Sequence, residues 1–164
     1  MDRRDVLKPF LLALAVTWLA GCDLPRDTNG SLESIRTSGI LRAGYTTHEP
    51  WVIEQAGTAT GPEADVVSAF AQSLGAHVEW RYGSESQLFE ALETFELDVI
   101  IGGLTADNPG VMKLGTTRPY VEVDNKQHIA AVAPGESRLL MEFERVLRAH
   151  APAVAARVGG RPVS

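Results

Sequence analysis

Apolar residues recur at helical spacing in four stretches of the chain. The pattern is clearest over residues 62–74, between Gly61-Pro62 and Gly75, because proline favours the first turn of a helix and glycine commonly follows the last. The same spacing predicts helices over residues 32–38, after Ser84, and over residues 136–149. Ser84 and Gln87 have the spacing of a capping box, which supports a helix start at that point.

Strand patterns separate these helices. Residues 77–82 alternate in polarity, residues 40–44 read as a short first strand, and residues 97–104 form a continuous apolar run. Such a run is typical of a strand buried on both faces of a parallel sheet. Residues 117–123 and 127–133 are two further extended candidates, joined by the turn residues Asp124-Asn125-Lys126.

The order β-α-β-α-β predicts an α/β fold, a three-layer sandwich with a mostly parallel sheet. Ligand sites in such folds lie at the carboxyl ends of the strands. The region from His128 to Val132 is expected to add one antiparallel strand. We assign residues 31–150 to a single lobe and residues 151–164 to a C-terminal tail that frays after Pro152.

The N-terminus has the pattern of an export signal. Basic residues precede an apolar run too short to cross a bilayer, and the run ends in Leu19-Ala20-Gly21-Cys22, which resembles a bacterial lipobox. We predict a lipoprotein signal peptide over residues 1–21, a lipid on Cys22 and a flexible tether over residues 22–30. The alternative is an ordinary secretory signal with an incidental cysteine, and the export route, general secretory or twin-arginine, stays open.

Charge and cysteine content limit the possible partners and cross-links of the protein. Residues 1–21 hold three basic and two acidic residues, so their removal changes the net charge from −6 to −7. This sign excludes nucleic acid as a partner. Cys22 is the only cysteine, which leaves no internal disulfide. Asp23 resembles a signal that retains lipoproteins in the inner membrane, so we expect the protein on the periplasmic side of that bilayer.

Chemistry-bearing motifs are few. The four histidines lack the spacing of metal ligands, and no nucleophile elbow or phosphate-binding loop is present. We therefore predict no metal, no cofactor and no catalytic activity. Gly103, near the end of the apolar run 97–104, and Thr105, just after it, lie where free backbone N–H groups and a hydroxyl would hold a polar or anionic group. The alternative for both residues is a tight turn after a strand.

Residues 32–120 resemble the first lobe of family 3 periplasmic solute-binding proteins, the amino-acid receptors of ABC importers. Six short stretches carry the resemblance: residues 39–44, Pro50-Trp51, residues 61–66, Leu74-Gly75, residues 95–104 and Arg118-Pro119-Tyr120. The resemblance implies one lobe of a type II periplasmic binding protein. The second lobe of that family would be inserted at Asp124-Asn125-Lys126 and is missing here.

The resemblance also implies a ligand face. Tyr45, His48 and Trp51 match positions that line the ligand, although packing of Trp51 against the lobe's own loops is an equal alternative. After Thr105 the family usually has a threonine and then an arginine that grips a carboxylate. Those places hold Asp107 and Gly110 here, which puts an ordinary α-amino acid in doubt.

Loss of the second lobe would leave an open shelf. We expect Trp51, Tyr45, Leu104 and Tyr120 to form an exposed patch on it, buried against a membrane protein or a second copy. The leading function is a membrane-anchored, low-affinity receptor or sensor of a small polar solute, linked to an ABC transporter. The alternative is a regulatory or structural subunit that keeps the fold and docks on a membrane protein without binding solute.

Overall fold

The computed structural model describes residues 26–163. The predicted signal peptide, Cys22 and the first residues of the predicted tether lie outside this part of the chain. The strands are β1 (Ile40–Tyr45), β2 (Ile53–Gln55), β3 (Thr58–Thr60), β4 (His77–Tyr82), β5 (Val99–Ile101), β6 (Gly115–Thr116), β7 (Val121–Val123), β8 (Lys126–His128), β9 (Ala131–Val132) and β10 (Arg161–Pro162). The α-helices are α1 (Ser31–Ser38), α2 (Pro62–Ser73), α3 (Glu85–Glu93) and α4 (Ser137–Val158).

The central sheet has five strands in the order β4-β1-β5-β9-β6. Strands β4, β1 and β5 are parallel, and β9 runs antiparallel to β5 with Val132 opposite Val99. The mostly parallel α/β sheet and its antiparallel strand are therefore confirmed. The predicted strand over residues 97–104 is shorter than expected, because Gly102 and Gly103 take positive φ angles and turn the chain away after Ile101.

Helices cover both faces of this sheet. One apolar core joins α1, α2 and α4 to the β1 side chains, with the rings of Phe70 and Phe143 packed 4.9 Å apart. A second core places α3 and a 3-10 turn, Pro109–Lys113, on the other face, around Ile100. The Ser84–Gln87 capping box at the start of α3 is present as predicted. Among residues 26–163 no helix is both long and apolar enough to cross a membrane.

The C-terminal segment is folded, so the expectation that it frays after Pro152 is wrong. Helix α4 continues through Pro152 to Val158, and β10 then pairs with β7 in a small sheet that also contains β8. A proline inside a helix removes one backbone hydrogen bond. The apolar face of α4 continues past it with Val154 and Ala155 buried in the core, and this packing outweighs the lost bond.

The N-terminal segment is also docked, which corrects the predicted flexible tether for residues 26–30. Asp27 Oδ1 accepts hydrogen bonds from the backbone N–H groups of Arg138 (2.7 Å) and Leu139 (3.0 Å), the first turn of α4. In return, the carboxylate of Glu136 accepts from the backbone N–H groups of Asn29 (2.6 Å) and Ser31 (2.7 Å) at the start of α1. Each helix N-terminus is thus capped by a carboxylate from the segment that precedes the other helix, an arrangement we call the carboxylate clamp.

Replacing Asp27 with alanine is expected to destabilise the protein by about 1–2 kcal/mol, because it removes the acceptor for free N–H groups at a helix start. Urea denaturation measures this effect. Asp27→Asn keeps an oxygen acceptor and should lose less. An unchanged unfolding midpoint for Asp27→Ala would contradict the capping role of this side chain.

Candidate functional site

The candidate site lies at the carboxyl ends of the parallel strands. His48 and Trp51 follow β1, and Gly103 and Thr105 follow β5. His128 ends β8 and faces Thr105 across an isolated antiparallel bridge. The sheet topology therefore brings together residues that are far apart in sequence, at the edge where α/β folds bind ligands.

An indole-imidazole stack forms the floor of this region. The rings of Trp51 and His128 lie 3.8 Å apart at 21°, and Tyr120 meets Trp51 edge-on at 6.5 Å. Burial lowers the pKa of the His128 imidazole, which favours its neutral form. Trp51 is only 4% exposed, so most of its ring packs against the lobe itself.

The predicted exposed patch is wrong. Tyr45, Leu104 and Tyr120 are buried like Trp51, because the lobe's own elements cover them. Tyr45 in particular is fully buried between Trp80 and Tyr82, with ring centroids at 5.8 and 5.5 Å. It has no surface that a solute can touch, which corrects its assignment as a ligand contact.

A buried carboxylate holds the turn after β5. Glu63 Oε2 accepts hydrogen bonds from the backbone N–H groups of Gly102 (2.9 Å) and Gly103 (3.0 Å), and Oε1 accepts one from the Tyr120 hydroxyl. Burial raises the pKa of the Glu63 carboxyl, and burial beside Glu63 raises the pKa of the Tyr120 hydroxyl well above its usual value. The N–H of Gly103 is therefore not free for a ligand, because an internal carboxylate occupies the expected anion position.

Two glycines make these contacts sterically feasible. Gly61 precedes α2 with a φ of 106°, and a Cβ there would lie 2.8 Å from the Trp51 carbonyl oxygen. Gly103 has a φ of 66°, and a Cβ there would lie 2.9 Å from His48 Nδ1. A side chain at either position would push the ring-bearing loop away from the buried carboxylate, so glycine here serves close backbone approach.

A polar rim surrounds the ring floor. The Thr105 side chain near the Asp107 carboxylate lowers the pKa of that group, with Lys126 adding a smaller effect. The Ala106 N–H donates to the Gln127 carbonyl at 2.9 Å, which fixes this loop against β8. A Cβ at Gly110 would lie 2.4 Å from the Phe89 ring. Phe89 thus takes the space that a larger side chain at position 110 would need.

The polar rim and the ring floor line an open cavity of 350 Å³. Four of the five predicted ligand residues line it, namely His48, Trp51, Gly103 and Thr105. Sequence reasoning did not assign Glu85, Asn108, Lys126 or His128 to this site, although all four line it. The sequence places Lys126 in a turn between two strands. The residues around His128 give no indication that its ring contacts Trp51. Within residues 26–163 no group of three or more His, Cys, Asp or Glu side chains is placed to hold a metal ion.

Comparison with known protein families gives a match over most of the lobe. The model of the bacterial extracellular solute-binding proteins, family 3, matches residues 41–151. The chain belongs to this family. The match begins in β1 and ends in α4, so it includes every element around the cavity, and the resemblance proposed from the short motifs is confirmed.

Two curated relatives cover part of the chain. A membrane-bound lytic murein transglycosylase F from Photobacterium profundum is 36% identical over 98 residues, 58% of this chain and 19% of the relative. A probable histidine-binding protein from Campylobacter jejuni is 24% identical over 118 residues, 71% of this chain and 46% of the relative. The chain therefore spans about a fifth of the transglycosylase and less than half of the histidine-binding protein.

Solved structures show the same fold. The arginine-bound form of domain 1 from TmArgBP aligns with a TM-score of 0.63 at 24% identity, over 71% of this chain and 97% of that domain. An ancestral cationic amino acid solute binding protein aligns with a TM-score of 0.50 at 28% identity, over 55% of this chain and 40% of that protein. These neighbours establish that the chain has the fold of a single lobe of a periplasmic binding protein.

Proposed function

We propose that this chain is a lipid-anchored solute-binding protein on the periplasmic side of the inner membrane, and that its single lobe takes a small polar solute at the carboxyl ends of the strands. The cavity carries this proposal, because it combines a ring floor held from beneath by Glu63 with a rim of polar side chains. A floor of this kind is fixed before a ligand arrives, so little ordering is needed on binding.

The rim charges favour a cationic solute. Two carboxylates, Glu85 and Asp124, line the cavity against the single ammonium of Lys126. A third carboxylate, Asp107, lies two residues after Thr105 of the cavity wall, and its lowered pKa keeps it ionised at neutral pH. A guanidinium or ammonium group would find charge-assisted acceptors here, with the ring floor beneath it.

The relatives support this class of solute and a single-lobe site. One neighbour is described as a cationic amino acid solute binding protein, and another as an arginine-bound form of domain 1. An isolated domain of this fold in an arginine-bound form supports binding by one lobe alone. The predicted lipid on Cys22 supplies the anchor in this proposal, and the lobe acts as a low-affinity receptor or sensor linked to an ABC transporter.

We propose a binding role and not a catalytic one. The family match is to solute-binding proteins, whereas the transglycosylase relative is an enzyme of which this chain spans only 19%. The buried carboxyl of the site, Glu63, is held by three donors inside the core. It is therefore engaged in the fold and does not face a substrate.

Titration calorimetry with L-arginine tests the proposed function, with L-glutamate as the opposite charge. We expect arginine to bind and the double variant Glu85→Gln with Asp124→Asn to bind about tenfold more weakly, since each exposed charge contributes a factor of a few. Glu79→Gln with Glu90→Gln is the matched control, because it removes two exposed carboxylates that do not line the cavity and should leave affinity unchanged.

Equal weakening by both double variants would mean that net charge and not the cavity attracts the solute. No heat with arginine, histidine or any other cationic solute would contradict the proposed function. The docking subunit without a solute would then be the better explanation.

A further inference from the structure

We propose that the surface beside the carboxylate clamp rests on the phospholipid bilayer, so that the solute cavity faces away from the membrane. We call this surface the anchor face and define it by Glu33, Arg138, Met141 and Glu142. The proposal rests on the proposed lipidation of Cys22. It adds the orientation of the lobe and the surface that meets the lipid.

The first observation is that only a short segment of chain connects the lipid to the folded lobe. Arg26 is already fixed, because its carbonyl accepts a hydrogen bond from the Ser137 N–H at 3.1 Å, and Asp27 is held by α4. Only residues 22–25 separate the lipidated sulfur from this fixed point. Four residues span at most about 14 Å when fully extended.

The second step is the end of the sheet at which this fixed point lies. The Thr28 N–H donates to the Gly135 carbonyl, and the Ala133 N–H donates to the carbonyl of Asp98, the residue just before β5. The clamp therefore sits at the amino-terminal end of the parallel strands. The cavity lies at their carboxyl ends, and the six residues of β1 separate the two ends by about 20 Å.

The third step is the character of the anchor face. Its residues line an open groove of 660 Å³ next to Arg26 and Asp27. Met141 is 56% exposed at this groove, and Arg138 is exposed beside it. The face also carries the carboxylates of Glu33 and Glu142, which are offset in number by Arg138 and by Arg145, the ion-pair partner of Glu142. An unbranched apolar side chain beside such cations suits the boundary between headgroups and acyl chains. A tether of this length brings that boundary within reach of the groove.

Fluorescence quenching in vesicles tests this orientation. The full chain, processed and lipidated in cells, is reconstituted in phosphatidylethanolamine/phosphatidylglycerol vesicles that contain a headgroup-labelled quencher lipid. Cys22 is the only native cysteine, and its sulfur is consumed by the lipid. A thiol-reactive fluorophore therefore reports a single introduced position: Met141→Cys or Arg138→Cys on the anchor face, or Lys126→Cys at the cavity rim.

We expect quenching at positions 141 and 138 to be several-fold stronger than at position 126. A Gly-Ser linker of about 20 residues inserted between Pro25 and Arg26, with a mean span of about 25 Å, should remove the difference. Equal quenching at all three positions in the unmodified chain, or stronger quenching at position 126, would overturn the orientation. Protein that fails to float with the vesicles would overturn the lipid anchor itself, and the orientation with it.

Discussion

Trp51→Ala is expected to lower the free energy of unfolding by about 3–5 kcal/mol, the usual cost of truncating a large buried aromatic side chain. The ring is 4% exposed, stacks on His128 and meets Tyr120 edge-on. Its removal leaves a cavity under the solute site and exposes the turn after β5 to water. Urea denaturation followed by circular dichroism measures the loss.

Met112→Ala is the control for this substitution, since Met112 is 85% exposed and should change stability little. Trp51→Phe keeps an aromatic surface against His128 and should fall between the two. If Trp51→Ala left the unfolding midpoint in place and abolished self-association, the ring would be an interface residue, and its position in the core would be incorrect.

Glu63→Ala is expected to destabilise the protein by about 3 kcal/mol or more, because it leaves three buried donors without an acceptor, at roughly 1–3 kcal/mol each. The donors are the N–H groups of Gly102 and Gly103 and the hydroxyl of Tyr120. Glu63→Gln retains an oxygen for the two N–H groups and offers its amide to the tyrosine oxygen. Only the Tyr120 O–H then lacks an acceptor, so we expect this variant to lose about 1–3 kcal/mol, less than Glu63→Ala.

The pH dependence of stability should also distinguish the parent protein from Glu63→Gln. Burial raises the pKa of the Glu63 carboxyl above its ordinary value, so the folded state binds more protons than the unfolded chain between those two pKa values. Stability of the parent protein relative to Glu63→Gln should therefore rise as the pH falls from neutral toward about 4.5. Paired urea melts at pH 7 and pH 5 measure this difference. A relative stability that decreased as the pH was lowered from 7 to 5 would contradict a raised pKa.

Local patterns were sufficient to predict the fold. Alternation in β4, the helical spacing of α2 and the Ser84–Gln87 box at α3 are each encoded within a few residues. Their order implies a parallel sheet with right-handed crossovers, and this rule leaves few possible topologies. Pro152 was misleading, because its local preference ends a helix whereas the buried residues that follow it keep α4 intact.

The site was only partly predictable, for a physical reason. Thr105 was predicted from its position after a strand and His48 from the family resemblance, and both line the cavity. Contacts between distant segments could not be predicted in this way, and these contacts decide which polar groups are free to bind a solute. Glu63 occupies the N–H groups of Gly102 and Gly103, and His128 covers Trp51. Neither pairing leaves a trace in spacing or composition.

The turn between β7 and β8 affects how fast a solute would exchange. It consists of Asp124 and Asn125 alone, with φ angles of 50° and 64°, and two positive φ angles are typical of a tight type I′ hairpin. The family resemblance places the second lobe, and the hinge that closes on the ligand, at this point. With a two-residue turn there, a solute in the proposed site would bind and leave in one step without a closing motion. Occupancy would then adjust quickly when the surrounding concentration changes, as suits the proposed sensor.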